Sequence, residues 1–286
     1  MKQKSYIPYL QVTPLALVLF AFVIVPLALV LVVSVYRYQV FVGLVPDFTL
    51  KNYIDVFTTK VNLQLYLSTF KLTAIVLAIT LVLGFWIAYF LVFHVRSLLL
   101  AIGLFLVCTV PFWTSNIIRM ISWIPFLGRN GIFNQSLIGL GITDEPLDFL
   151  LFSDFAVVIA YVHLFTLFMI VPIFNSMARI DPAILEAAVD GGAKRWQVVW
   201  EIVVPLSKTG IALGSIFVIA LVMGDFFVIK IMSGGQSASV VMAMSNEIAL
   251  LQYPPAAAGA VLLLIIVTLM VTAILRIVDV RKELSG

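Results

Sequence analysis

Charge is what this sequence has least of: 11% of its 286 residues are Asp, Glu, Lys or Arg, whereas 63% are hydrophobic. No water-soluble domain can bury so much apolar surface, so a bilayer must replace much of the core. Cysteine is reduced to Cys108. That excludes an intrachain disulfide framework, and inside an apolar run the residue reads as an inert, buried small hydrophobe. His94 and His163 are the only histidines and have no cysteine or carboxylate at ligand spacing, which argues against a zinc site. A phosphate-cradling G-x-x-x-x-G-K-[ST] loop is missing too. Gly191-Gly192-Ala193-Lys194 has neither its spacing nor a preceding strand, so this chain is expected to bind no cofactor and to hydrolyse no ATP. A nucleophile elbow is absent, and no internal repeat supports an inverted-repeat carrier. The net charge of +3 is spread along loops and forms no patch suited to nucleic acid.

What is present is a series of apolar runs. A helix needs about 20 predominantly apolar residues to cross the hydrocarbon layer. Six stretches qualify: 14–36, 72–93, 97–118, 155–178, 210–229 and 256–275. The fourth contains His163 and the fifth Asp225; the others carry no charge. The first exceeds a signal-peptide apolar region and no small-residue cleavage site follows Tyr36, so it is read as an uncleaved span. With the N-terminus in the cytoplasm, the cytoplasmic segments hold Lys2, Lys4, Arg96, Arg179, Lys194, Arg195, Lys208, Arg276, Arg281 and Lys282. Arg37, Lys51, Lys60 and Arg129 fall in outer segments, where Asp144, Glu145, Asp148 and Asp154 also gather. This asymmetry places both termini in the cytoplasm. Residues 37–71 form an outer loop of mixed polarity. Residues 122–154, with a turn at Asn130-Gly131, form a second one that re-enters or lies on the membrane.

The cytoplasmic loop 179–209 is the most informative segment. Asp181 is a good N-cap and Pro182 sits where its missing N–H costs nothing. A helix then runs to Asp190, where Gly191 and Gly192 supply a left-handed stop. A second short helix starts at Ala193 and ends near Pro205. Its Trp196, Val199, Trp200 and Val203 fall in one helical stripe, opposite Lys194, Arg195, Gln197 and Glu201. Together they make a helix-turn-helix bracket stiff enough to transmit a push.

These residues carry a resemblance. Glu186-Ala187-Ala188, Gly192, Ile202 and Pro205 reproduce the pattern E-A-A-x3-G-x9-I-x-L-P, with Val204 where leucine is usual. The segment resembles the EAA loop of ABC importer permeases. Val110 to Arg119, the Asn130-Gly131 turn, and Met223 to Phe227 followed by Gly234-Gly235 are similar to permeases of the spermidine/putrescine type. The resemblance implies an all-α membrane protein of six transmembrane helices, the type I importer permease fold, over one permease domain spanning 1–286. It implies that Glu186, Ala187, Ala188, Asp190, Gly192, Ile202 and Pro205 form a coupling helix docking on an ABC ATPase dimer, which holds the ATP and Mg. The further partners are a second, non-identical permease and a periplasmic or lipid-anchored substrate-binding protein, at a bacterial inner membrane. The implied solute is a small organic amine such as a polyamine. An ion-gradient-driven secondary transporter is the alternative reading, and a membrane enzyme or scaffold the third.

Ionisable groups inside a span are expensive and are candidates for function. Asp225 is the foremost. On a continuous helix it would lie about 140° from Lys230, so its partner must be another helix, a water-filled cavity or the solute. Arg119, Trp113 and Asn116 are the other pathway candidates, with snorkelling to the headgroups the plainer reading for Arg119 and an aromatic belt for Trp86, Tyr89, Phe112, Trp113 and Trp123. His163 reads as a satisfied buried histidine. Pro26, Pro111 and Pro172 are expected to kink their spans.

Overall fold

The computed structural model describes residues 7–95 and 97–278. The basic residues Lys2, Lys4, Arg96, Arg281 and Lys282 of the orientation argument therefore lie outside the described residues. The chain forms two compact units, one of Met1–Gln64 with Ala243–Ile265, the other of Leu65–Met242 with Ile266–Gly286.

In the first unit, α1 (Ile7–Leu19) and α2 (Val25–Ser34) are joined by a π-helical turn, Phe20–Ile24. Pro26 follows immediately; it has no N–H to return to the preceding turn, and the wider i→i+5 ladder absorbs that gap without breaking the rod. Next comes a hairpin of β1 (Tyr36–Gln39) and β2 (Gly43–Phe48), closed by the Arg37–Asp47 ion pair at 3.3 Å. A short helix α3 (Lys51–Thr58) is tied back by Asn52, whose Nδ2 donates to the carbonyls of Ser34 at 2.8 Å and Tyr36 at 2.9 Å. The outer loop read as 37–71 is thus largely ordered.

Helix α4 (Lys60–Phe93) runs for 34 residues and begins twelve residues before the apolar run that announced it. Polar Asn62, Gln64, Ser68 and Thr69 dilute hydropathy there, yet no Gly or Pro interrupts the backbone ladder. Buried Thr73 and Thr80 donate to the carbonyls of Thr69 and Val76, both at 2.8 Å, and so enter an apolar interior without an unpaired hydroxyl.

The third run does not form one helix. Helix α5 (Leu98–Thr109) gives way to a 3-10 turn at Val110–Trp113, and α6 (Asn116–Leu127) starts afresh. Pro111 removes a ladder donor here, and Ser115 adopts an extended ψ of 137°. Helix α7 (Ile132–Gly139) and a 3-10 turn at Asp148–Leu150 then lead to α8 (Asp154–Met177), which accommodates Pro172 without a break. Asn134 is fully buried and stitches the connecting segment, accepting from the Leu147 N–H at 2.8 Å and donating to the Gly128 carbonyl at 3.0 Å.

The bracket comprises α9 (Pro182–Asp190), α10 (Arg195–Gln197), a π turn at Val198–Val203 and α11 (Val204–Leu206). Helix α12 (Lys208–Gly224) follows, bent by 68° from the second arm of the bracket, and then come α13 (Phe227–Met232), α14 (Val240–Ala249) and α15 (Tyr253–Ile277). The fifth run therefore stops at Gly224 rather than 229. Among the described residues, four helices are individually long and apolar enough to cross a membrane: Gln11–Ser34, Lys60–Phe93, Asp154–Met177 and Tyr253–Arg276. The bent pair ending in α12 makes a fifth.

The core of the second unit is built on α8, and α12 lies closest to it. Gly210 and Gly214, one helical turn apart, permit the approach. A Cβ on Gly210 would stand 2.7 Å from Ser176 Cβ and 2.9 Å from Ile173 Cα, and one on Gly214 would stand 2.6 Å from Met169 Sδ. Gly84 of α4 meets the same methionine, its Cβ position lying 2.6 Å from Met169 Cγ. In lipid, where apolar surface alone gives no driving force between helices, such close backbone approach is what packs them.

Candidate functional site

Within the bracket, Asp181 caps α9, its Oδ1 accepting from the Ala183 N–H at 2.9 Å. The far end closes through two nested bonds, Ala193 N–H to the Ala188 carbonyl and Gly192 N–H to the Val189 carbonyl, each 2.9 Å. Only Gly192, at φ +87°, is left-handed; Gly191 stays at −73°. The left-handed stop expected of both glycines thus rests on Gly192 alone, and a Cβ there would meet nothing within 4 Å. Backbone conformation sets the constraint.

Glu186, Ala187 and Asp190 are exposed on α9, while Leu185 and Ala188 lean on the core. In the second arm, the Lys194 N–H is held by Gln197 Oε1 at 2.8 Å. The predicted stripe splits: Val199 and Val203 are buried and Val198 joins them, but Trp196 and Trp200 are 58% and 63% exposed. The π turn is the cause, because its i→i+5 spacing brings Val198 rather than Trp200 onto the inner side. Ile202 is half-buried and Pro205 exposed. A cavity of about 660 Å³ opens beside the bracket, lined by Asn175, Ser176, Arg179, Asp181 and Thr209 among apolar neighbours.

The pathway candidates fall into two separate places. Asp225 is not in mid-helix: it is extended, with ψ 136°, in the break between α12 and α13. Its Oδ1 accepts from the Val228 N–H at 2.9 Å and from Tyr161 Oη at 3.2 Å. The partner sought on another helix is therefore Tyr161, fully buried on α8. Lys230 is exposed on α13.

Asn116, Arg119 and Trp113 cluster at the break between α5 and α6. Trp113 is 85% exposed, and Asn116 accepts from Arg119 Nη2. Arg119 does not snorkel outward: it is 8% exposed, and its guanidinium turns back to Asn116. His163 is half-buried and accepts at Nδ1 from Trp123 Nε1 at 3.1 Å.

Sequence reasoning missed the Tyr161 tie and the turn after α13. There Ser237 donates to Asp154, Gly235 donates to Ser233 Oγ at 3.1 Å, and the Val240 N–H reaches Thr69 Oγ1 at 3.1 Å. The signals were present as a lone phenol in an apolar run and a serine-rich Gly-Gly turn.

Helices meeting through glycines, breaks inside two apolar runs and a polar bracket between spans define a helical membrane permease. Residues 80–283 match the family of binding-protein-dependent transport system inner membrane components, and the chain belongs to that family. It is similar to the spermidine/putrescine transport system permease protein PotB of Escherichia coli (34% identical over 193 residues, 66% of this chain and 68% of that protein). The PotB of Haemophilus influenzae is 31% identical over 229 residues, covering 80% and 79%. The fold matches a chain of the bacterial alginate ABC transporter in complex with an alginate pentasaccharide-bound periplasmic protein, with TM-score 0.76 across 95% of this chain and 93% of that one, at 14% identity. This chain is thus the non-catalytic inner-membrane permease component of an ABC importer.

Proposed function

We propose that this permease imports a polyamine or a related small amine, driven by a separate ABC ATPase dimer that carries the ATP and Mg. The observation that carries the solute class is the 34% identity to PotB over 193 residues. A binding protein delivers the solute from outside, and a second, non-identical permease completes the path. Both termini lie in the cytoplasm.

In this reading Glu186, Ala187, Ala188, Asp190 and Gly192 form the surface that docks on the ATPase. The nested hydrogen bonds at Gly192 support the assignment, since they make α9 a short rigid piece, and Ile202 and Pro205 anchor the opposite arm. Asp225 and the cluster of Arg119, Asn116 and Trp113 belong to the translocation path.

The test is reconstitution of the whole importer in proteoliposomes with labelled spermidine and putrescine outside. Uptake that requires the binding protein and internal ATP is expected. Uptake that persists without the ATPase and collapses with an ionophore would establish an ion-gradient carrier instead.

A further inference from the structure

The start of α6 holds positive charge that nothing among the described residues neutralises. Ser115 precedes the helix without capping it through its side chain, and the first helical bond is from the Arg119 N–H to the Ser115 carbonyl at 3.1 Å. The N–H groups of the opening turn therefore lie ahead of the ladder, at the positive end of the helix dipole. Arg119 adds a full charge at the same place. Its hydrogen bond to Asn116, the first residue of α6, shows the guanidinium folded back over that turn. It is more than nine-tenths buried, and its Nε has no acceptor. Among the described residues the ion pairs are Arg37–Asp47 and Arg129–Asp148, so no carboxylate compensates Arg119. A buried cation left in this way is strongly unfavourable unless an anion completes the site. By contrast, Ser115, Asn116, Ile117 and Ile118 beside it are exposed, leaving an approach open.

We propose that Arg119 and the N-terminal turn of α6 form a binding site for a carboxylate supplied from outside this chain. A forked, planar guanidinium beside free backbone N–H groups suits the two oxygens of a carboxylate. The source is an acidic side chain of an adjoining subunit or a carboxylate on the solute. The site rests on the permease working within an assembled importer, and not on the solute being an amine.

The complete importer, purified in nanodiscs with loaded binding protein, provides the test. Arg119→Lys places a primary amine at the site. Dicyclohexylcarbodiimide activates a contacting carboxylate to its O-acylisourea, the amine attacks, an amide forms and dicyclohexylurea leaves. Mass spectrometry is expected to find position 119 joined either to an Asp or Glu peptide of another subunit or, only when solute is present, to the solute itself. Arg119→Met, which fills the space without charge, is expected to lower uptake roughly tenfold or more. It also reduces recovery of the adjoining subunit if that is where the carboxylate resides. An amide to this chain's own carboxylates, no amide at position 119, or wild-type uptake by Arg119→Met overturns the proposal. Failure of the wild-type importer to move amines would sink the function proposed above and leave the cross-link readout intact.

Discussion

Tyr161 Oη donates to Asp225 Oδ1 at 3.2 Å, so a phenol fully buried on α8 holds the carboxylate that bridges the gap between α12 and α13. The same oxygen accepts from the Val228 N–H and thereby starts the second helix. An apolar run that looks continuous is thus two helices pinned at a break, where irregular backbone survives because its polar groups are satisfied by neighbours.

Asp225→Asn keeps an oxygen for both bonds and is expected to assemble with the ATPase at wild-type yield while lowering uptake roughly tenfold. Asp225→Leu removes both acceptors, strands the phenol and the amide, and costs about 1–3 kcal/mol for each group left unpaired. It is expected to lose expression. Uptake together with size-exclusion profiles separates the two effects, and wild-type uptake by Asp225→Asn would reduce the carboxylate to a structural acceptor.

At Gly192 the decisive comparison is between side chains of different backbone preference. The space is open and φ is +87°, so Gly192→Asn is expected to be mild. Gly192→Val forces a β-branched residue into the left-handed region, at about 1–3 kcal/mol, and is expected to disturb the closure of α9 and weaken co-purification of the ATPase. Equal behaviour of the two variants would count against a conformational cause.

The π turn predicts a labelling pattern that an ordinary α-helix does not. Single cysteines at Trp196 and Trp200 are expected to react with a maleimide roughly tenfold or more faster than those at Val199 and Val203, because reactivity follows exposure. One stripe of four equally protected positions would return the arm to a regular helix.

Gly210 and Gly214 set the approach of α12 to α8. Gly214→Ala puts a methyl at 2.6 Å from Met169 Sδ, at the cost of about 1–3 kcal/mol for overpacking. Gly210→Ala meets backbone, which cannot move aside as a methionine can, and is expected to be the worse of the two. Thermal midpoints of the purified complex rank them, and a milder Gly210→Ala would show that the helices slide.

Much of this protein follows from its sequence alone. Apolar runs with so few charges dictate membrane helices, because the backbone must satisfy itself where there is no water. Asp181, Pro182 and Gly192 dictate where α9 starts and stops, since cap and left-handed residues act over a few neighbouring bonds. Tertiary structure decided where the long runs break and which polar groups meet. Apolar side chains read the same on either side of a break such as Gly224–Phe226, where Asp225, held by Tyr161 of a neighbouring helix, caps the helix that follows. Likewise, the stripe of Trp196 and Trp200 depended on an α-helical period that the packed π turn replaces. The burial of Arg119 depended on which way its long stem folds, a choice made by the surrounding helices and not by local spacing.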